Sequence, residues 1–138
     1  MSDQGAQTLF RRQVTKLLAD MDYSFQATVD EKGQALWHLS FTSESGEVPI
    51  TIVALTGGGL NLYHVAPLPP NWATKAHGLL ALNTASFAMV GIDSGKLVVN
   101  STLHESWLND AALRYALGAV IHQTVEARRV LGATPSAA

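Results

Sequence analysis

The chain opens on a helical spacing of apolar positions. Phe10, Val14, Leu17, Leu18 and Met21 fall at i, i+4, i+7, i+8 and i+11, with Arg11, Arg12, Thr15 and Lys16 opposite. That pattern predicts an amphipathic helix over 8–21. The period then drops to two. Tyr23, Phe25, Ala27 and Val29 alternate with Ser24, Gln26 and Thr28 before the turn Asp30-Glu31-Lys32-Gly33, and Trp37, Leu39 and Phe41 alternate up to a turn at 43–47. From 50 to 55 the run is continuously apolar or β-branched, which predicts a strand covered on both faces. Gly57-Gly58-Gly59 interrupts it and 60–66 extends again. Four segments joined by short turns predict an antiparallel meander.

Pro67, Pro69 and Pro70 end the meander, and proline suits a first helical turn because its missing N–H has no partner there. A second helix is predicted over about 70–83, with Trp72, Ala76, Leu79 and Leu80 on one face. Segments 87–92 and 96–103 flank Asp93-Ser94-Gly95, a tight turn that needs a positive backbone angle at Gly95. Asn109 or Asp110 suits the cap of a last helix, Gly132 its end, and Leu113, Leu117, Val120, Ile121, Thr124 and Leu131 its buried stripe. The order α-β-β-β-β-α-β-β-α predicts an α+β fold, an antiparallel sheet with helices, in a single domain over 1–138. Residues 133–138 are small and polar and are expected to form a flexible tail.

Composition narrows the function classes. A chain of 138 residues buries about two-thirds of its unfolded surface by size scaling, enough for a core without staples. There is no cysteine, which removes disulfides and thiolate metal sites. A balance of 9 basic and 11 acidic residues, without a basic cluster, argues against nucleic acid as a partner. Only 14% of residues are charged, against about 25% in an ordinary domain. Part of the surface is therefore uncharged polar or is covered by a partner. No apolar run reaches the roughly 18–20 residues a bilayer requires, so no membrane partner is expected. The opening MSDQGAQTLFRRQ lacks the charged lead and apolar run of an export signal, and a cytoplasmic location is expected.

Candidate chemistry is sparse. Thr56-Gly57-Gly58-Gly59 invites a phosphate-loop reading, but a strand rather than a helix follows and the next lysine is Lys75. Ser94-Gly95-Lys96 sits in a β-turn and lacks the earlier glycine of that motif. His38, His64, His77, His104 and His122 are scattered, the nearest two being 13 residues apart, unlike an i, i+4 ligand pair. No Gly-any-Ser-any-Gly elbow occurs, and Asp20/Asp22 and Asp30/Glu31 lie at helix ends and turns where carboxylates are routine. No catalytic residue, metal or cofactor is expected, and the chain is not expected to be an enzyme. Of the three tryptophans, Trp37 sits mid-strand, whereas Trp72 and Trp107 sit at element boundaries where a ring is often half covered. Together with Leu68 of Pro67-Leu68-Pro69-Pro70, Trp72 and Trp107 form the candidate protein interface.

This element order resembles the type III secretion chaperone-like fold, including the YbjN-like and related bacterial families. The stretch that carries the resemblance runs from Leu82-Asn83, ending a helix, through the strand with Phe87 and the hairpin Asp93-Ser94-Gly95-Lys96-Leu97. It continues to Leu103 and a long helix to Leu131. The resemblance implies a small α+β domain, commonly a homodimer, that holds unfolded or partner segments against apolar surface without chemistry of its own. The net charge of −2 departs from the marked acidity of secretion chaperones proper. The expected function is a non-enzymatic protein-binding or chaperone-like module holding a partner polypeptide. The alternative is a small-ligand sensor or enzyme using a pocket between sheet and helices.

Overall fold

A computed structural model of the chain describes residues 3–84 and 87–132. The opening helical stripe forms α1 (Asp3–Asp20), which buries Val14 and Leu18, with Met21 buried just beyond its end. The chain leaves α1 through Asp22 at φ 60°, and the Tyr23 N–H still bonds the Leu18 carbonyl at 3.2 Å. That helix exit delays the first strand, expected from Tyr23, to Gln26. The strands are β1 (Gln26–Val29), β2 (Ala35–Ser43), β3 (Gly46–Leu55), β4 (Gly59–Pro67), β5 (Met89–Asp93) and β6 (Lys96–His104). Between β4 and β5 lies α2 (Ala76–Ala81), and α3 (Asp110–Leu131) closes the chain. All six strands form one antiparallel sheet in the order β1-β2-β3-β4-β6-β5. The predicted meander and hairpin are thus joined along β4 and β6, from Gly59 opposite His104 to Pro67 opposite Lys96, and β5 becomes an edge. The expected tail, 133–138, lies outside the described residues.

Among the described residues, helices cover one face of the sheet only. Trp37, Leu39, Val48, Ile50, Ile52, Leu60, Leu62, Leu97 and Val99 point inward and meet Val14 and Leu18 of α1 and Leu113, Leu117 and Val120 of α3. Burying each such side chain contributes roughly 1.5–3 kcal/mol, so this layer holds the fold. The Trp37 indole N–H donates to Thr15 Oγ1 at 3.1 Å and ties α1 to β2. The double coverage expected for 50–55 is corrected. Val48, Ile50 and Ile52 are buried, whereas Pro49 is exposed and Thr51 and Val53 are half-buried on the other side, because among the described residues no second layer packs there. Within α3 the expected stripe is buried except Ile121, which is half-buried.

The turns follow their residues. Gly59 starts β4 where a Cβ would lie 2.9 Å from the Leu103 carbonyl oxygen, so the glycine run serves a close strand approach. In the β5–β6 turn both Ser94 (φ 52°) and Gly95 (φ 76°) adopt the left-handed conformation. The Asn109 side chain accepts from the Ala112 N–H at 2.8 Å and caps α3, and Gly132 ends it. The helix predicted over 70–83 is broken. A 3₁₀ turn at Trp72–Lys75 precedes the six-residue α2, and another at Leu82–Thr84 follows it. No side-chain cap fixes its start, and Leu80, one residue or about 100° round from buried Leu79, points to solvent.

Candidate protein interface

The end of the sheet bounded by β5 carries apolar surface on both sides of the strand edge. In β5, Val90 faces the core, while Met89, opposite Asn100, faces the open side and is 54% exposed. On the helix side Phe87 and Tyr115 stand in solvent with their rings edge to face, centroids 5.1 Å apart. Leu80 of α2 and Ile92 near the end of β5 are exposed on the elements bounding this corner. A groove of about 610 Å³ runs along the outer face of α3 beside Phe87, lined by Ala111, Tyr115, Gly118, Ala119 and His122, with Arg114 at its rim. Arg114 donates to Asp110 at 2.6 Å and lies 5.7 Å over the Tyr23 ring, so the rim cation is already engaged. An apolar cluster of this kind, with adaptable polar groups at its border, is the surface type that protein partners cover.

Two amides hold the corner in place. The Asn83 side chain donates to the Val90 carbonyl at 2.9 Å and accepts from the Val90 N–H at 2.6 Å. In an antiparallel ladder a residue's N–H and C=O point to the same side. Asn83 therefore occupies the outward pair of Val90, as a neighbouring strand would. Gln123 of α3, 3% exposed, donates to the Leu82 carbonyl at 2.8 Å and to the Ala88 carbonyl at 3.1 Å, fastening both ends of the α2–β5 connection to α3.

The residues singled out from sequence are not brought together. Leu68 and Trp72 lie beyond the Pro67 end of β4, half-buried against the core. Trp107 lies beyond the His104 end of β6, in a 3₁₀ turn, and is 68% exposed. Eight ladder steps at about 3.4 Å put roughly 27 Å between those ends of the sheet. Trp37 is buried. Phe87, Met89 and Tyr115 were missed, although a signal was present. Tyr115 falls off the 113/117/120/124 stripe, and 87–92 carries large apolar residues on both alternating faces.

The polar candidates sit in structural roles. Among the described residues no three His, Asp or Glu side chains converge. The Asp30 carboxylate accepts from the Lys32 and Gln34 N–H groups at 2.9 and 2.8 Å in the β1–β2 turn. His104 Nδ1 accepts from the Ser106 N–H at 3.1 Å. The space between sheet and helices is occupied by core side chains. A cavity of about 90 Å³ beside Phe10, Arg11, Lys32 and Gln34 lies at its margin. No described helix is long and apolar enough to cross a membrane.

These features define an α+β protein with one helix-covered antiparallel sheet and an exposed apolar corner. No protein-family model matches the chain, and no curated protein matches it by sequence. Among solved structures it is similar to a chain of the crystal structure of the ExsC-ExsE complex. That match has a TM-score of 0.59 and 18% identity, and covers 92% of this chain and 97% of that one. The fold is type III secretion chaperone-like, as the element order led us to expect.

Proposed function

We propose that the chain is a non-enzymatic protein-binding module, chaperone-like in the sense that it holds a partner polypeptide against apolar surface, and that it works as a homodimer. The corner of Leu80, Phe87, Met89 and Tyr115 around β5 carries this reading, because large apolar groups gather there in solvent while the amides of Asn83 and Gln123 tie the corner to its neighbours. The likeness to a chain from a two-protein complex supports it. With Val90 already bonded by Asn83, docking here proceeds through side chains and the groove along α3, in preference to strand addition. Trp107, exposed beyond the His104 end of β6, is a separate contact in this proposal, and Leu68 and Trp72 are half-buried supports beyond the Pro67 end of β4. Kinship with the YbjN-like families and a cytoplasmic location are part of the same proposal.

The test is affinity purification of the tagged chain from its native lysate. A second protein in stoichiometric amount, lost from Phe87→Ser/Tyr115→Ser, is the expected result. A preparation free of any second chain, whose melting temperature rises with a metabolite, would overturn the reading in favour of a small-ligand sensor.

A further inference from the structure

We propose that His64 is an acid-sensitive latch: a second proton on its buried imidazole, which is bonded to the same 45–49 stretch as Arg128, releases the C-terminal end of α3 from the turn between β2 and β3. His64 lies on the inner face of β4 and is 4% exposed. Its Nδ1–H donates to the Pro49 carbonyl at 2.8 Å. A carbonyl only accepts, so Nδ1 carries the proton and Nε2 presents a bare lone pair. Nε2 is buried and has no hydrogen-bond partner among the described residues. A proton arriving there is a buried charge with nothing to receive it.

The charged groups on the packed elements make that proton more costly. From α3, Arg128 carries the same sign as the imidazolium. It is itself the tie to the β2–β3 turn, donating to the Ser45 carbonyl at 3.2 Å, Ser45 Oγ at 2.9 Å and the Glu47 carbonyl at 2.8 Å. The other charges on this end of α3, Arg129 and Glu126, pair with each other, and Arg129 also pairs with Glu44. On β3 the Glu47 carboxylate accepts from Ser40 and Thr42 hydroxyls at 2.7 Å each, on exposed side chains. On β6, Val99 lies opposite His64, and residues 97–103 include no ionisable side chain. Moving the Arg128 end of α3 outward relieves the like charge.

The direction of the pH response follows. Burial, chiefly, and then the Arg128 charge hold the His64 imidazole below its usual 6.5, although the Pro49 bond works the other way. The latch is therefore closed above 6.5 and loosens as pH falls below it. Between 6.5 and the midpoint of His64 in the folded chain, one proton is taken up on opening, so the opening constant grows about tenfold per pH unit.

Hydrogen exchange of the full chain between about pH 7.5 and 5, corrected for intrinsic rates, tests this. The amides of 125–131 are expected to gain about tenfold in opening per unit below 6.5, while those of 113–120 do not. His64→Gln is expected to abolish that slope, and Arg128→Gln to leave the segment open and nearly insensitive to pH. A flat response in the wild type, or an equal slope in His64→Gln, overturns the proposal. Should His64→Gln fail to fold, the imidazole Cε1–Hε1 titration of the wild type decides. A midpoint below 6.5 with the slope confined to pH values above it supports the latch, and a midpoint at 6.5 or higher overturns it.

Discussion

The Asn83 amide saturates both backbone groups of Val90, and its removal acts twice. Two hydrogen bonds at about 1 kcal/mol each are lost, and the outward N–H and C=O of an edge strand become free to template another chain. Asn83→Ala is therefore expected to lower stability by roughly 1–3 kcal/mol in urea unfolding and to shorten the lag of thioflavin-positive aggregation. Unchanged stability and lag would show that the amide does not guard the edge. Residues whose role is local were legible in the sequence. Gly95 in its turn and Asn109 at the start of α3 act on neighbours a few positions away. Gln123, Asn83 and His64 were not, because their partners lie 41 and 35, 7, and 15 residues away and are backbone groups that no side-chain pattern marks.

Among the elements, those with a long stripe were legible and those shaped by their surroundings were not. The 22-residue α3 was read from its spacing and both caps, and α1 from a single face. The region 70–83 has apolar residues at helical spacing but no side-chain cap, so it settles into a 3₁₀–α–3₁₀ series that turns Leu80 outward. The apolar run 50–55 looks doubly covered, whereas among the described residues the sheet has helices on one side only. Capping by Asn109 is a property of α3 as a unit. Asn109→Ala is expected to cost about 1 kcal/mol, read in urea unfolding, with full recovery in Asn109→Asp. No loss in the alanine variant would place the start of α3 under packing control instead.

Across the whole molecule, charge contributes little to holding the shape. The ion pairs Lys16–Asp20, Arg114–Asp110, Arg129–Glu44 and Arg129–Glu126 sit on the surface, where solvent screens them and each adds little. Stability rests on one apolar layer, and the same economy of charge leaves apolar groups at the β5 corner in solvent. The central claim is that this corner is covered by another polypeptide in the cell. Native mass spectrometry of the tagged chain isolated from its own cells tests it in one measurement. The proposed homodimer with its partner bound is expected as a species heavier than two tagged chains, each 14.7 kDa untagged, with a return to the homodimer mass in Phe87→Ser/Tyr115→Ser and unchanged circular dichroism. A wild-type species at the homodimer or single-chain mass alone, or a partner-bound assembly that survives the double substitution, would contradict it.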